Sequence, residues 1–171
     1  MIQSWRRARR AVRATATATA LAAIALVGSA GTASADYFGG GPNSMKNWNS
    51  DSCLVVQGSQ NGSAAYQYKC LGYADQLWTV DEWGTGTFHL TNSNSGKCLV
   101  VQGLANGNGA FQYDCANYRD QLWRLIGTGY GWLLQNVNSG KCLVVQGGAD
   151  GSRAFQYTCD ENYDDQRWMF V

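Results

Sequence analysis

The stretch Asn138–Trp168 reads N-S-G-K-C-L-V-V-Q-G-G-A-D-G-S-R-A-F-Q-Y-T-C-D-E-N-Y-D-D-Q-R-W, and its landmarks occur twice more, in residues 49–78 and 94–123. The first cysteines of the three copies are 45 and 44 residues apart, and the glutamines of their Q-x-W motifs are 45 and 45 apart. Self-similarity at a fixed period indicates that each copy is one small module that buries its apolar face against the others.

Short runs rich in Val, Leu, Tyr, Phe and Trp alternate with Asn-Gly, Asp-Gly and other glycine-rich joints, and no stretch has a helical period. This pattern predicts an all-β barrel or sandwich with about four strands per repeat and about twelve in total. One unit is too small to be stable alone, so we expect the three to close about a pseudo-threefold axis. The repeats are placed at roughly 45–86, 87–130 and 131–171.

Strand alternation puts the glutamine and the tryptophan of each Q-x-W motif on one face, which we expect to be buried. Three tryptophans, each covering about 200 Å² of apolar surface, would form a shared core layer. The glutamine amides beside them would then need backbone partners. The alternative is that the tryptophans stack on a ligand. The pairs are Gln76 with Trp78, Gln121 with Trp123, and Gln166 with Trp168.

Residues 1–35 have the pattern of a secretory signal peptide: a basic head ending at Arg13, an apolar core over 14–27 and a small-x-small site at 33–35. The apolar core is shorter than the roughly 20 residues of a membrane span. We therefore predict a secreted protein that starts at Asp36, with a flexible lead-in over 36–44 and one domain over 45–171. Paired arginines leave twin-arginine export open beside the general secretory route.

The charge balance argues against two classes of partner. Five of the 13 Lys and Arg residues and none of the 12 acids lie in residues 1–35, so the remaining chain has a net charge of −4. Nucleic acids and anionic membranes both require clustered positive charge, so neither is an expected partner. We expect a monomer without a cofactor.

The six cysteines are expected to form disulfides, because an even number in an exported chain is typical of a disulfide framework. Many connectivities are open, and the threefold repeat favours one bond inside each unit. A zinc site is the rival interpretation, but there is no C-x-x-C motif and His89 is the only histidine. The favoured pairs are Cys53–Cys70, Cys98–Cys115 and Cys142–Cys159, each 17 residues apart.

Catalysis has little support in the sequence. His89 has no counterpart in the other repeats and is expected to be a core or surface filler rather than a base. Adjacent acids such as Asp164 and Asp165 point to opposite sides of a strand and cannot act as paired acid and base. The chain starts with a leader and ends three residues after the last Q-x-W motif, so we expect no catalytic domain.

Three Q-x-W units of forty-odd residues, each with a C-L-x-V-x-G strand and a Q-Y-x-C segment, resemble the ricin B-chain type β-trefoil lectins. The resemblance covers residues 45–171 and implies a β-trefoil with up to three shallow sugar sites, for galactose- or xylan-type glycans. In that family an acid two places after the first cysteine accepts hydrogen bonds from sugar hydroxyls. An aromatic residue two places before the second cysteine stacks on the ring, and a polar residue before Q-x-W completes the site.

Carried onto this chain, the resemblance puts the stacking residues at Tyr68, Tyr113 and Tyr157. The family's acid position holds Val55, Val100 and Val144, and valine accepts no hydrogen bond. We hypothesise that the acid has moved to the aspartate before Q-x-W, accompanied by a second tyrosine in Tyr-x-Asp-Gln. Turn capping by the aspartates and plain packing by the tyrosines are the alternatives. The relocated sites consist of Tyr73 with Asp75, Tyr118 with Asp120, and Tyr163 with Asp165.

One question of orientation stays open. Each repeat has an aromatic residue followed by a glutamine, where the family has a polar and then an aliphatic residue. Alternation requires that one of the two faces inward, but does not say which. The pairs are Tyr66–Gln67, Phe111–Gln112 and Phe155–Gln156.

The sequence as a whole favours a secreted, multivalent carbohydrate-binding protein that is not an enzyme. Its individual sites would be weak, and its strength on a polymer would come from avidity. The alternative is a protein-binding or inhibitory β-trefoil whose sugar sites are lost, which the three valines favour.

Overall fold

The computed structural model describes residues 41–171, so the predicted leader and most of the lead-in lie outside the described residues. The described part contains β-strands and short 3-10 helices, which confirms the predicted all-β class. No helix in this part has the length and apolar character of a membrane span.

The strands are β1 (Asn43–Asn47), β2 (Cys53–Val55), β3 (Tyr66–Tyr68), β4 (Leu77–Gly84), β5 (Thr87–Asn92), β6 (Cys98–Val101), β7 (Ala110–Tyr113), β8 (Trp123–Thr128), β9 (Gly131–Asn136), β10 (Cys142–Val144), β11 (Phe155–Tyr157) and β12 (Arg167–Phe170). The 3-10 helices are Ala74–Gln76, Arg119–Gln121 and Asp164–Gln166.

Six strands form a closed antiparallel barrel. They pair in the cyclic order β1, β4, β5, β8, β9, β12 and back to β1, so each has a hydrogen-bonded neighbour on both sides. Closure removes the unpaired edges that make an open sheet prone to association.

The other six strands form three hairpins, β2 with β3, β6 with β7, and β10 with β11. The hairpins meet one another, since isolated bridges join Ala64 to Phe111, Tyr66 to Arg153, and Gly109 to Phe155. Each repeat therefore contributes two barrel strands and one hairpin about a pseudo-threefold axis. This arrangement is a β-trefoil, as the resemblance implied.

The core contains the tryptophans of all three Q-x-W motifs, and each is completely buried. Trp123 donates its indole N–H to the Leu99 carbonyl at 3.0 Å, so its one polar group is satisfied inside the core. The glutamine amide before it is also paired: Gln121 accepts from the Ala116 N–H at 2.7 Å and donates to the Asp114 carbonyl at 3.0 Å. The same contacts join Trp78 to Leu54, Trp168 to Leu143, Gln76 to Leu71 and Lys69, and Gln166 to Asp160 and Thr158.

Each repeat contains one disulfide, and no cysteine among residues 41–171 is free. No group of His, Cys, Asp or Glu side chains in the described residues could hold a metal ion. The bonds join the pairs Cys53–Cys70, Cys98–Cys115 and Cys142–Cys159. Each bond ties the first strand of a hairpin to the loop that follows its second strand.

The glutamines of the aromatic–glutamine pairs face inward and are completely buried, while the aromatic residues before them are half-buried. The side-chain Oε1 of Gln112 accepts a hydrogen bond from the Ser95 hydroxyl at 2.6 Å, within the same repeat. Its amino group donates to the Gly58 and Gln60 carbonyls of another repeat, at 3.1 and 3.3 Å. A polar side chain is therefore stable at this core position because it joins two repeats. Equivalent contacts join Gln67 to Ser50, Gly147 and Ala149, and Gln156 to Ser139, Gly103 and Ala105.

Candidate functional site

In repeats 1 and 3 the two tyrosines and the aspartate singled out by the sequence line one surface cleft. The repeat 1 cleft, of about 220 Å³, is lined by Val55, Gln57, Tyr68, Lys69, Leu71, Tyr73, Asp75, Gln76 and Asp150. The repeat 3 cleft, of about 270 Å³, is lined by Val144, Gln146, Tyr157, Tyr163, Asp165 and Gln166. Two aromatic rings and a carboxylate thus surround the same volume in both.

The residues of repeat 2 occupy equivalent positions in the fold. Tyr113 pairs with Cys98 at the end of its hairpin, as Tyr157 pairs with Cys142. Tyr118 is exposed directly before a 3-10 helix, and Asp120 is half-buried within that helix. The three repeats therefore present the same set of side chains in the same order.

Valine forms a buried wall at the position where the resemblance implies an acid. Val55, Val100 and Val144 are each 1% exposed. A carboxylate at this depth would lose its hydration, which is costly without a partner. In both clefts an aspartate comes instead from the turn that leads into Q-x-W, Asp75 in repeat 1 and Asp165 in repeat 3.

Two of these aspartates have one carboxylate oxygen without a protein partner. Oδ1 of Asp75 and Oδ1 of Asp120 are both buried without a hydrogen bond. Burial raises the pKa of Asp120, although the backbone N–H groups of Asp120 and Gln121 partly oppose this shift. Burial likewise raises the pKa of Asp165, opposed by its own N–H. Backbone N–H groups of the turn therefore account for part of the surroundings of Asp120 and Asp165, and all three aspartates are only half-buried, so part of each carboxylate remains accessible.

Buried asparagines fix the backbone on which the aspartates sit. Asn136 donates its side-chain amide to the Asp120 carbonyl at 2.8 Å, across the boundary between two repeats. Sequence reasoning missed these residues, although the tripled N-x-N-S pattern was a signal for them. The equivalent bonds join Asn92 to Asp75 and Asn47 to Asp165, both at 2.9 Å.

Two of the tyrosines that precede the second cysteine of a repeat, Tyr68 and Tyr113, also lie close to a turn from another repeat. A Cβ on Gly151 would lie 3.4 Å from the Tyr68 hydroxyl, and one on Gly62 would lie 3.5 Å from the Tyr113 hydroxyl. Both glycines have a left-handed φ, of +82° and +84°, so the turn that reaches the tyrosine requires glycine. The sequence had indicated these Asn-Gly and Asp-Gly turns only as connections between strands.

The residues before these glycines make the clefts chemically different. Asp150 lines the repeat 1 cleft and accepts the Lys69 backbone N–H at 2.8 Å. In repeat 2 the equivalent contact comes from an amide, since Asn61 accepts the Asp114 N–H at 2.9 Å. Repeat 1 therefore has a second carboxylate beside its cleft.

A larger cleft of about 710 Å³ lies elsewhere and contains none of the predicted site residues. Its walls include Trp48, Tyr130 and Trp132, and the Arg167 guanidinium lies 5.9 and 5.6 Å from the ring centroids of Trp48 and Tyr130. This cleft is lined by residues of all three repeats.

Comparison with known proteins agrees with this architecture. The model of the ricin-type β-trefoil lectin domain matches residues 42–170. ThreeFoil, a designed threefold-symmetric protein, is similar with a TM-score of 0.74 and 29% identity, over 76% of this chain and 97% of its own. No curated protein sequence gives a match.

Two larger proteins contain a similar domain. The exo-β-1,3-galactanase 1,3Gal43A from Clostridium thermocellum has a TM-score of 0.73 and 25% identity, over 77% of this chain and 30% of its own. The hemolytic lectin CEL-III has a TM-score of 0.62 and 32% identity, over 77% of this chain and 31% of its own. The chain thus spans less than a third of either protein.

Proposed function

Because the chain belongs to the ricin-type β-trefoil lectin family, we propose that it is a secreted glycan-binding protein with up to three sugar sites, one per repeat. Carbohydrate binding is the property that the family supports. The number of sites, their residues and the secretion of the protein are parts of the proposal. The disulfide in each repeat supports an oxidising, extracellular location.

The observation that carries this proposal is the meeting of two tyrosines and an incompletely paired carboxylate in one cleft. A sugar ring has an apolar face that suits an aromatic ring, and its hydroxyls make their strongest hydrogen bonds to charged acceptors. In repeat 1 these groups are Tyr68, Tyr73 and Asp75, and Oδ1 of Asp75 is buried without a partner. Asp75 as a whole is half-buried, and the accessible part of its carboxylate would accept a hydrogen bond from a sugar hydroxyl.

We propose that the protein binds glycans without cleaving them. Glycoside hydrolysis generally uses two carboxyl groups on opposite sides of the scissile bond. The repeat 3 cleft is lined by a single acid, Asp165, and the repeat 1 cleft pairs Asp75 with Asp150, whose carboxylate already accepts the Lys69 backbone N–H. The clefts are also small and open, so each site alone would be weak, and retention on a polysaccharide would come from several sites acting together.

Replacing Asp75, Asp120 and Asp165 together with asparagine should lower glycan affinity roughly 10- to 100-fold at each site, the value of a charge-assisted hydrogen bond. Asparagine preserves the shape of the turn and its ability to cap it. The full chain, produced with its leader in an exporting host, is applied to a glycan array and titrated with galactose, β-1,3-galactan and xylan by calorimetry. N-terminal sequencing of the exported protein should find Asp36 first.

The matched control is Asp51→Asn, which removes an exposed carboxylate outside the clefts that pairs with Lys46. Asparagine tolerates the left-handed backbone at this position, where φ is +56°. Unchanged binding by the triple variant would refute the assignment of the aspartates. Silence of the unmodified protein on every glycan would refute the function and favour the protein-binding alternative.

Glycan binding should weaken in acid, and at a higher pH than the titration of an ordinary aspartate would suggest. Burial raises the pKa of Asp120 and Asp165, so these carboxylates take up a proton earlier as the pH falls. Protonation converts a charged acceptor into a weaker one. Sugar hydroxyls favour the ionised form, so binding should release protons in this window, which calorimetry in buffers of different ionisation enthalpy measures. If the triple asparagine variant lost glycan affinity over the same acidic pH range as the unmodified protein, this prediction would be contradicted.

A further inference from the structure

Trp83, in β4, has an indole ring that is half-exposed and contacts two other side chains. Its side chain is 52% exposed. Its Nε1 donates to Oδ1 of Asn117 at 3.0 Å. Its ring lies over the imidazole of His89, with centroids 4.8 Å apart and an interplanar angle of 32°. One face and one edge of the indole are therefore fixed, while half of the side chain stays open to solvent.

His89 provides a rigid, uncharged support for this ring. It lies in β5 directly opposite Asp81 of β4 and is 4% exposed. Burial lowers the pKa of His89, although the Ala116 backbone and Asp81 oppose the shift, so the imidazole is neutral at neutral pH. The residue expected to be a filler is thus a core residue that supports an exposed tryptophan. An aromatic ring fixed before a ligand arrives loses little conformational entropy on binding.

The tryptophan lies beside the proposed sugar site of repeat 2. Asn117, which accepts its N–H, directly precedes Tyr118 in the loop between Cys115 and the 3-10 helix that contains Asp120. Consecutive Cα atoms are about 3.8 Å apart, so the indole nitrogen lies within roughly 10 Å of the Tyr118 backbone. Counted from Q-x-W, the position of Trp83 in repeat 1 corresponds to Thr128 in repeat 2. This ring is therefore not part of the threefold pattern.

We propose that Trp83 is a further aromatic subsite next to the proposed sugar site of repeat 2, so that this site takes an oligosaccharide of two or more sugar units. The inference rests on the proposed function, because it assumes that Asp120, Tyr113 and Tyr118 hold the first sugar. The apolar face of a neighbouring sugar stacks on the open side of the indole. The subsite distinguishes a chain from a monosaccharide and makes repeat 2 the most selective of the three sites.

The test isolates repeat 2 by using the full chain with Asp75→Asn and Asp165→Asn as the parent. In this parent, Trp83→Ala should lower the affinity for a tetrasaccharide about three- to tenfold, the value of one aromatic contact, and leave monosaccharide affinity unchanged. The probes are galactose with β-1,3-galactotetraose and xylose with xylotetraose, measured by calorimetry. Trp48→Ala, which removes another partly exposed tryptophan in a different cleft, should change neither affinity.

A second measurement does not depend on the folding of a variant. In the parent, the tetrasaccharide should shift the NMR signal of the Trp83 indole N–H, and the monosaccharide should not. Equal tetrasaccharide affinity with and without Trp83, or an equal loss for both probes, would overturn the subsite. Failure of the underlying site is distinguished by Asp120→Asn in the same parent: if that change is neutral for both probes, the proposed function is wrong at repeat 2 whatever Trp83 does.

Discussion

Replacing Trp123 with alanine should lower the free energy of unfolding by about 3–5 kcal/mol, the range for truncating a large aromatic residue in a packed core. Trp123 is completely buried and belongs to one hydrophobic cluster with Trp78 and Trp168. Truncation removes these contacts, leaves a cavity and takes the N–H donor from the Leu99 carbonyl. Urea unfolding followed by far-UV circular dichroism measures the change.

Two controls separate the parts of this effect. Trp123→Phe retains much of the apolar volume and should cost less than alanine, with a remainder due to the unpaired Leu99 carbonyl and the smaller ring. Trp48→Ala, at a residue that is 37% exposed, should cost far less. If Trp123→Ala were as mild as Trp48→Ala, or if it melted one repeat and left the others folded, the shared core would be the wrong description of this trefoil.

Features that depend on periodicity within one repeat could be predicted from the sequence. The barrel and hairpin strands follow from short apolar runs between turn residues, and the burial of Trp78 with Gln76 follows from alternation along one strand. The pairing of cysteines inside a repeat follows because a period repeats every local contact. These features need no knowledge of how one repeat sits against another.

Contacts between repeats could not be predicted in this way. Periodicity says that three units are alike, but not which loop of one unit meets which side chain of the next. The inward orientation of Gln112 depends on carbonyls more than fifty residues away in another repeat. Asp150 beside Tyr68 and the bond from Asn136 to the Asp120 backbone likewise join different repeats. The repeat 1 cleft includes Asp150 from another repeat, so its full lining requires the structure.

The contact between Trp83 and His89 could not be predicted from the sequence for a different reason. The histidine occurs in a single repeat, so the repeat pattern gives no information about it. It packs on Trp83, six residues earlier across the β4–β5 hairpin. Trp83 in turn donates to Asn117, a residue of the second repeat. Residues such as Trp83 that have no counterpart in the other repeats can give one repeat a different function, because the shared architecture does not depend on them.

Replacing Gln112 with leucine should cost about 2–4 kcal/mol although the new residue is apolar and similar in size. The change leaves the Ser95 hydroxyl and the Gly58 carbonyl without their buried partner, and each stranded polar group costs about 1–3 kcal/mol, whereas the Gln60 carbonyl still accepts from Ser63. The apolar burial gained by leucine offsets part of this loss. Urea unfolding again measures the effect.

The control is Gln102→Leu, the same substitution at an exposed glutamine, which should change the stability by less than about 0.5 kcal/mol. A double-mutant cycle with Ser95→Ala separates the bond within the repeat from the two bonds between repeats. We expect the two substitutions to be strongly coupled. In the Ser95→Ala background, Gln112→Leu should still lower the free energy of unfolding, because the bonds between repeats are lost. If the Gln112→Leu protein were as stable as the unmodified protein, the buried glutamine amides would make no net contribution to stability. The joining of repeats would then rest on the tryptophan core and the barrel hydrogen bonds alone.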